Sequence, residues 1–233
     1  MSGKTSNQAS PRMAVAVLAS GRGSNLQALI DACAKPDFPA RIVLVLSNVP
    51  GAQALRRAEQ AGLATAVIDH KQIGSREAFD KAAQEQLVAA GAELVCLAGF
   101  MRILTPGFVA AFRDRLINIH PSLLPAFPGL HTHERAIASG VRFAGCTVHY
   151  VRSEVDVGPI IAQVAVPVQI GDTADTLATR VTSSEHHIYP QVVRWIAEGR
   201  VHVQGARVTI DGAAAPAAVY FNPQPTISVS AKK

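Results

Sequence analysis

The chain has 233 residues, with 48% hydrophobic residues and a formal net charge of +5. That length suits one sizeable α/β core or two small ones. No apolar run approaches the ~20 residues of a bilayer span, so the sequence reads as that of a soluble protein. Aromatic residues make up only 5% of the chain and the basic residues form no stripe. A nucleic-acid surface is therefore not expected, and the positive charge is read as a mild bias toward anionic small molecules.

Residues 1–12 read as a disordered leader with no targeting pattern. The apolar stretch 13–19 is too short for a signal peptide and ends in a glycine loop, so it is read as a buried first strand. A helix over 24–34 follows, with Leu26, Leu29 and Ile30 on its apolar face. A second strand is expected over 41–46, then a helix from Pro50 to its stop at Gly62. A short third strand covers 65–68. Ser75 is the expected N-cap of the next helix, whose stripe is Phe79, Ala83, Leu87 and Ala90, ending at Gly91. Strands over 94–98 and 116–119 are separated by a short helix after Thr105-Pro106.

Beyond Ile119 the texture changes. Residues 121–133 are rich in proline and glycine and read as an ordered loop. Strands over 145–151 and 159–168 flank a turn at 152–158. A long helix opens at Asp172-Thr173, uses Leu177, Val181, Ile188, Val192 and Trp195, and stops at Gly199, with Pro190 expected to kink or divide it. A brief hairpin, 201–203 with 208–210, precedes a poorly specified tail. Apolar strands alternating with helices predict a single-domain α/β protein with a mostly parallel, twisted sheet flanked by helices and a Rossmann-like N-terminal half. The expected organisation is a leader (1–12), one domain (13–203), and a hairpin with tail (204–233). Ligands in such sheets collect at the carboxyl ends of the strands.

Cys33, Cys96 and Cys146 lie among apolar neighbours and read as reduced core thiols of a cytoplasmic protein. The loop Gly21-Arg-Gly23-Ser24-Asn25 lacks the third glycine of a dinucleotide fingerprint, and the second strand ends in Ser47-Asn48 rather than an acidic residue. A dehydrogenase is not expected. Free N–H groups at Gly23, Ser24 and Asn25 would suit a phosphate monoester, but a tight strand-to-helix turn with no ligand fits the loop equally well.

Asn118-Ile-His120-Pro-Ser-Leu-Leu-Pro125 puts an amide and an imidazole on one side of a strand end. A polar pair closing a strand is one reading. A pair at a reacting carbonyl is the other: Asn118 can donate to an oxygen that becomes negative, and His120 can donate or deliver a proton. A carboxylate such as Asp156 nearby would favour the imidazolium and fix its tautomer. His131 and His133 without a third ligand at workable spacing are weak evidence for zinc.

Five motifs resemble one family. Ser20-Gly-Arg-Gly-Ser-Asn-Leu-Gln27, Leu97-Ala-Gly-Phe-Met-Arg-Ile-Leu104, Asn118 to Pro125, Pro128-Gly-Leu-His-Thr-His133 and Glu185-His-His-Ile-Tyr-Pro190 closely resemble the folate-dependent phosphoribosylglycinamide formyltransferases of purine synthesis. The resemblance implies the formyltransferase fold and formyl transfer from 10-formyltetrahydrofolate, as co-substrate, to the amine of glycinamide ribonucleotide. It implies Asn118, His120 and Asp156 as the catalytic trio. Gly23, Ser24 and Asn25 would hold the phosphate, and Thr182, Ser183, Ser184 and Glu185 the ribose and glycinamide end. Arg76, Met101, Arg102, Ile103 and Leu104 would line the folate site together with Asn118. The loop of Arg152, Ser153, Glu154, Val155 and Asp156 would fold over the pteridine. The resemblance implies no metal, and the partners are then two small molecules, with no nucleic acid and no membrane, bound by a monomer or homodimer.

One departure stands out. The family turn after the aspartate reads Asp-Gly-Gly-Pro, and Val157 replaces the first glycine here. If that position needed a positive φ, valine would strain the loop. Formyltetrahydrofolate hydrolase and methionyl-tRNA formyltransferase share the catalytic motif, but their extra terminal domains are not expected in this chain. A nucleotide-phosphate sensor would have little reason to keep Asn118, His120 and Asp156 together.

Overall fold

The computed structural model describes residues 12–214, 220, 222 and 223. The expected leader, apart from Arg12, and most of the expected tail lie outside the described residues. Seven strands form one sheet in the order β3-β2-β1-β4-β5-β6-β7. They are β1 (Met13–Leu18), β2 (Ala40–Ser47), β3 (Thr65–Val67), β4 (Leu94–Leu97), β5 (Leu116–His120), β6 (Phe143–Tyr150) and β7 (Ile160–Pro167). Pairing is parallel from β3 through to β5, whereas β6 and β7 run antiparallel. The sheet is thus mostly parallel and flanked by helices, as the alternating pattern predicted.

Successive residues of β1 serve opposite faces of the sheet, which is the period-two geometry of a strand. Val15 and Val17 join a core with Leu26 and Leu29 of α1 (Ser24–Cys33), Ala54 and Ala58 of α2 (Gln53–Gln60), and Tyr189 and Val192 of α6 (Ala174–Ala197). Ala16 and Leu18 join another, with Phe79, Ala83 and Leu87 of α3 (Arg76–Ala89) and Phe108 and Val109 of α4 (Pro106–Ala111). Both faces of β1 are covered, which explains why its sequence is apolar without alternation. β8 (Val201–Gln204) and β9 (Arg207–Ile210) form the separate hairpin, whose valines and Ile210 pack on the first core.

Three expectations need correction, and one open condition is resolved. The Pro50 helix starts later, at Gln53, with Pro50 and Gly51 in a turn. Pro190 does not divide the long helix, which runs unbroken for 24 residues with Pro190 buried inside it. Proline removes one N–H bond from a helix, and here the flanking Tyr189, Val192 and Val193 are fully buried and hold both sides of that turn to the sheet. The loop expected up to His133 ends in a helix, α5 (Thr132–Ala138), entered through His131 at φ +56°. Left-handed entry by a non-glycine residue leaves no familiar capping signal in the sequence. Finally, positive φ in the 152–158 turn falls on Asp156 at +57°, and Val157 is not in that region. Valine therefore adds no backbone strain, and its side chain stands in solvent.

All three cysteines are free and buried. Burial pushes the Cys33 thiol up to about 11 and the Cys146 thiol up to about 12, and raises Cys96 as well. None is a ready thiolate.

Candidate active site

The site lies along the carboxyl ends of β1, β4 and β5, where the chain leaves β1 for β2 on one side and later returns as β4 on the other. That reversal opens a crevice between the loops that follow β1 and β4.

On the β1 side, Gly23 sits at φ +69° and opens α1 with no side-chain cap, leaving the N–H groups of the first turn free. A Cβ on Gly23 would lie 2.8 Å from both Cα and Cβ of Ala54 in α2, so the loop is seated tightly against that helix. Asn25 Nδ2 donates to Glu185 Oε2 at 2.8 Å, which joins the loop to α6. Glu185 is only 6% exposed and burial raises its carboxyl above the usual range. Asn25 Oδ1 is buried without a partner, an acceptor with unfilled capacity beside that carboxyl. One turn earlier, Thr182 and Ser184 are half-buried and Ser183 is exposed.

At the end of β5, His120 Nδ1 is 3.3 Å from Asp156 Oδ2, and both side chains are almost wholly buried. His120 Nε2 meets the Phe127 carbonyl at 3.0 Å. Both ring nitrogens therefore face acceptors, which fixes the plane of the imidazole. Asp156 Oδ2 also accepts from the Gly129 N–H at 2.9 Å. A left-handed φ on a non-glycine residue is a local strain held by its surroundings, and at Asp156 those surroundings are this imidazole and this N–H.

His149 is a residue that the sequence reading missed. Its Nδ1 donates to the Tyr150 carbonyl at 3.0 Å, so in the neutral ring Nε2 is an acceptor, 3.3 Å from Asn118 Nδ2. Burial lowers its basicity and favours that neutral form. Asp156 Oδ1 lies 3.7 Å from the same nitrogen. His149 thereby orients the Asn118 amide with nitrogen inward, leaving the second N–H of Nδ2 for another acceptor. The pairing of Asn118 with His149 across β5 and β6 brings the two together. Nothing near His149 in sequence marks it; only the antiparallel register does.

The expected folate residues divide. Met101 and Ile103 are exposed apolar side chains after β4, while Leu104 is buried and Arg102 stacks its guanidinium 4.4 Å from the centre of the Phe79 ring. Ser153, Glu154 and Val155 are exposed on the 152–158 turn, and Arg76 is exposed at the start of α3. Arg152 is turned away from His120: its Nη2 donates to Asp114 Oδ1 at 2.6 Å, just before β5 begins. No helix among the described residues is long and apolar enough to cross a membrane.

Residues 13–193 match the formyl transferase family model. The chain is 46% identical over 204 residues to the phosphoribosylglycinamide formyltransferase of Escherichia coli strain K12, covering 88% of this chain and 96% of that protein. It is 53% identical over 192 residues to the trifunctional purine biosynthetic protein adenosine-3 of Gallus gallus, covering 82% of this chain but spanning only 19% of that much longer relative. The crystal structure of glycinamide ribonucleotide transformylase 1 from Symbiobacterium toebii superposes with a TM-score of 0.84 at 48% identity, covering 85% of this chain and 94% of that one. With a family match over most of its length and a relative aligned nearly end to end, the chain belongs to the formyl transferase family, among the phosphoribosylglycinamide formyltransferases.

Proposed function

We propose that this chain transfers the formyl group of 10-formyltetrahydrofolate to the amine of N1-(5-phospho-D-ribosyl)glycinamide, a step of purine synthesis, in the cytoplasm and as a monomer or homodimer. The observation that carries the reading is the 3.3 Å meeting of His120, on β5, with Asp156, from a turn more than thirty residues downstream, and the link from Asp156 to Asn118 through His149.

In this reading the amine attacks the formyl carbon and the carbonyl electrons move onto its oxygen. The free N–H of Asn118 and one N–H of His120, exchanging its present acceptor, meet that oxygen. Asp156 balances the imidazolium and organises the proton transfers. Collapse breaks the bond from carbon to the folate nitrogen, which takes a proton as the amine loses one. Gly23, Ser24 and Asn25 hold the phosphate through the free N–H groups at the start of α1. Glu185, with Thr182, Ser183 and Ser184 on the preceding turn, faces the ribose and glycinamide end. Its buried carboxylate gains a second donor there, in addition to Asn25. Arg76, Met101, Arg102, Ile103 and Leu104 line the folate side, and the exposed Met101 and Ile103 offer the apolar surface a pteridine ring needs. Arg152, Ser153, Glu154, Val155 and Asp156 form the turn over it, with Arg152 anchoring its start through Asp114.

The test is the absorbance change of 10-formyltetrahydrofolate with and without the ribonucleotide. Acceptor-dependent loss of the formyl donor is the expected result. Consumption without acceptor would replace the reading with a hydrolase, and no turnover at all would replace it with a sensor.

A further inference from the structure

α2 carries no residue of the reacting trio, yet three independent contacts tie it to the phosphate loop. Ala54 N–H donates to the Gly21 carbonyl at 3.0 Å. Gly23 has no room for a Cβ against the Ala54 backbone. Arg57, half-buried one turn further along α2, donates from Nε to the Arg22 carbonyl at 2.9 Å and from Nη1 to Gln27 Oε1 at 3.2 Å. Gln27 is fixed from its other end, since its Nε2 donates to Asp31 Oδ1 at 2.8 Å. The guanidinium thus grips the loop on both sides of Gly23: at Arg22 before the left-handed turn and at Gln27 in the first turn of α1.

We infer that Arg57 is a positioning residue for the acceptor's phosphate, acting through the loop. A planar fork with donors in fixed directions can hold two acceptors at set angles, which an ammonium on a flexible stem does less well. The N–H groups of Ser24 and Asn25 have no side-chain cap, so their aim depends on where the Arg22–Gly23 turn is held. Nε and Nη1 are both committed to the protein. Arg57 also shares the wall of a groove of about 600 Å³ with Ser24, Gln27 and His186, so the brace stands beside the anion site and not behind the core. No comparable contact runs from Arg57 to the β5 end or to the 152–158 turn, and its effect should be confined to one substrate.

This inference rests on the formyl-transfer reading and is tested within it. Arg57→Ala and Arg57→Lys are assayed with the ribonucleotide and with its dephosphorylated ribonucleoside, and ribonucleotide binding is measured by calorimetry without folate. For Arg57→Ala the expected results are a rise of about tenfold in KM and Kd for the ribonucleotide, with kcat and the folate KM within about twofold of wild type. On the dephosphorylated acceptor kcat/KM should equal that of wild type, because the group that Arg57 serves is gone. Arg57→Lys should recover only part of the loss. Equal loss on both acceptors, a raised folate KM, unchanged ribonucleotide binding, or full recovery by lysine (which would make the charge itself the cause) would each overturn it. Wild-type protein that transfers no formyl group would instead overturn the functional reading, while the calorimetric comparison would still judge the brace.

Discussion

Gly158 is where the folding of the 152–158 turn can be tested most sharply. A Cβ built there lies 1.5 Å from the Tyr150 carbonyl oxygen and 3.3 Å from His149 Nδ1. Real Cβ atoms essentially never come within 3.0 Å of such an atom, so Gly158→Ala forces the two strands of backbone apart. If the turn gives way, Asp156, two residues earlier, leaves its 3.3 Å contact with His120. If Tyr150 gives way, its carbonyl leaves His149 Nδ1 and the ring loses the bond that fixes its tautomer. Either displacement is of ångström size, and misplacement by about 1 Å costs on the order of 100-fold in rate. Overpacking of this kind also costs about 1–3 kcal/mol of stability, at roughly 2–4 °C of Tm per kcal/mol for a chain of this size. The expected result is therefore a folded protein with a cooperative, modestly lowered melt and kcat down by about 100-fold. Val157→Ala, changing an exposed side chain next door, should leave kcat within about twofold. Gly158→Ala with wild-type kcat would show that the Asp156–His120–His149 arrangement does not need its present backbone, and the proposed mechanism would lose its basis.

On the proposed mechanism Asn118→Ala and His120→Ala each remove one donor to the developing oxyanion and should lower kcat by about 10²–10³ with near-native Tm; turnover within tenfold of wild type in either would refute its role. Asp156→Asn removes the charge 3.3 Å from His120, so on the proposed mechanism kcat should fall by about 10²-fold, and a wild-type kcat would count against Asp156 as the partner of His120. Burial raises the Glu185 carboxyl, so the stability this group contributes is fully present below its unfolded value of about 4.3 and is lost as pH rises through the higher folded value. The melting temperature of Glu185→Gln relative to wild type should therefore climb from pH 4 toward neutrality, while its ribonucleotide KM rises; a Tm difference flat with pH would refute the burial argument.

What could be read from sequence follows from how local each signal is. The strands of the parallel half announced themselves because burial on both faces makes them apolar, and Ser75 was legible as a cap because a side-chain oxygen three residues before a free N–H is a local device. α5 was missed because its entry is set by the backbone of His131 and not by a capping side chain. Gln53 as the true start of α2 was missed because Pro50, a good first-turn residue, drew the boundary early. Asn118 and His120 on β5 were visible as a pattern of two. His149 was invisible, because it belongs to the site only through a partner on another strand.

That last point explains the placement of the site as a whole. β5 is the last parallel strand, and β6 returns beside it in the opposite direction. In an antiparallel pair, residues directly opposite present their side chains on the same face. Asn118 opposite His149 is one such pair. A parallel neighbour would have sent the chain across the sheet and back before it could reach Asn118. The antiparallel return instead lets β6 deliver His149, turn through Arg152 at Asp114, and bring Asp156 back against the same imidazole within seven residues. The parallel half supplies the crevice and the Gly23 loop, while the change of direction supplies the polar cluster. The proposed formyl transfer needs both, and they meet where the pairing of the sheet changes sign.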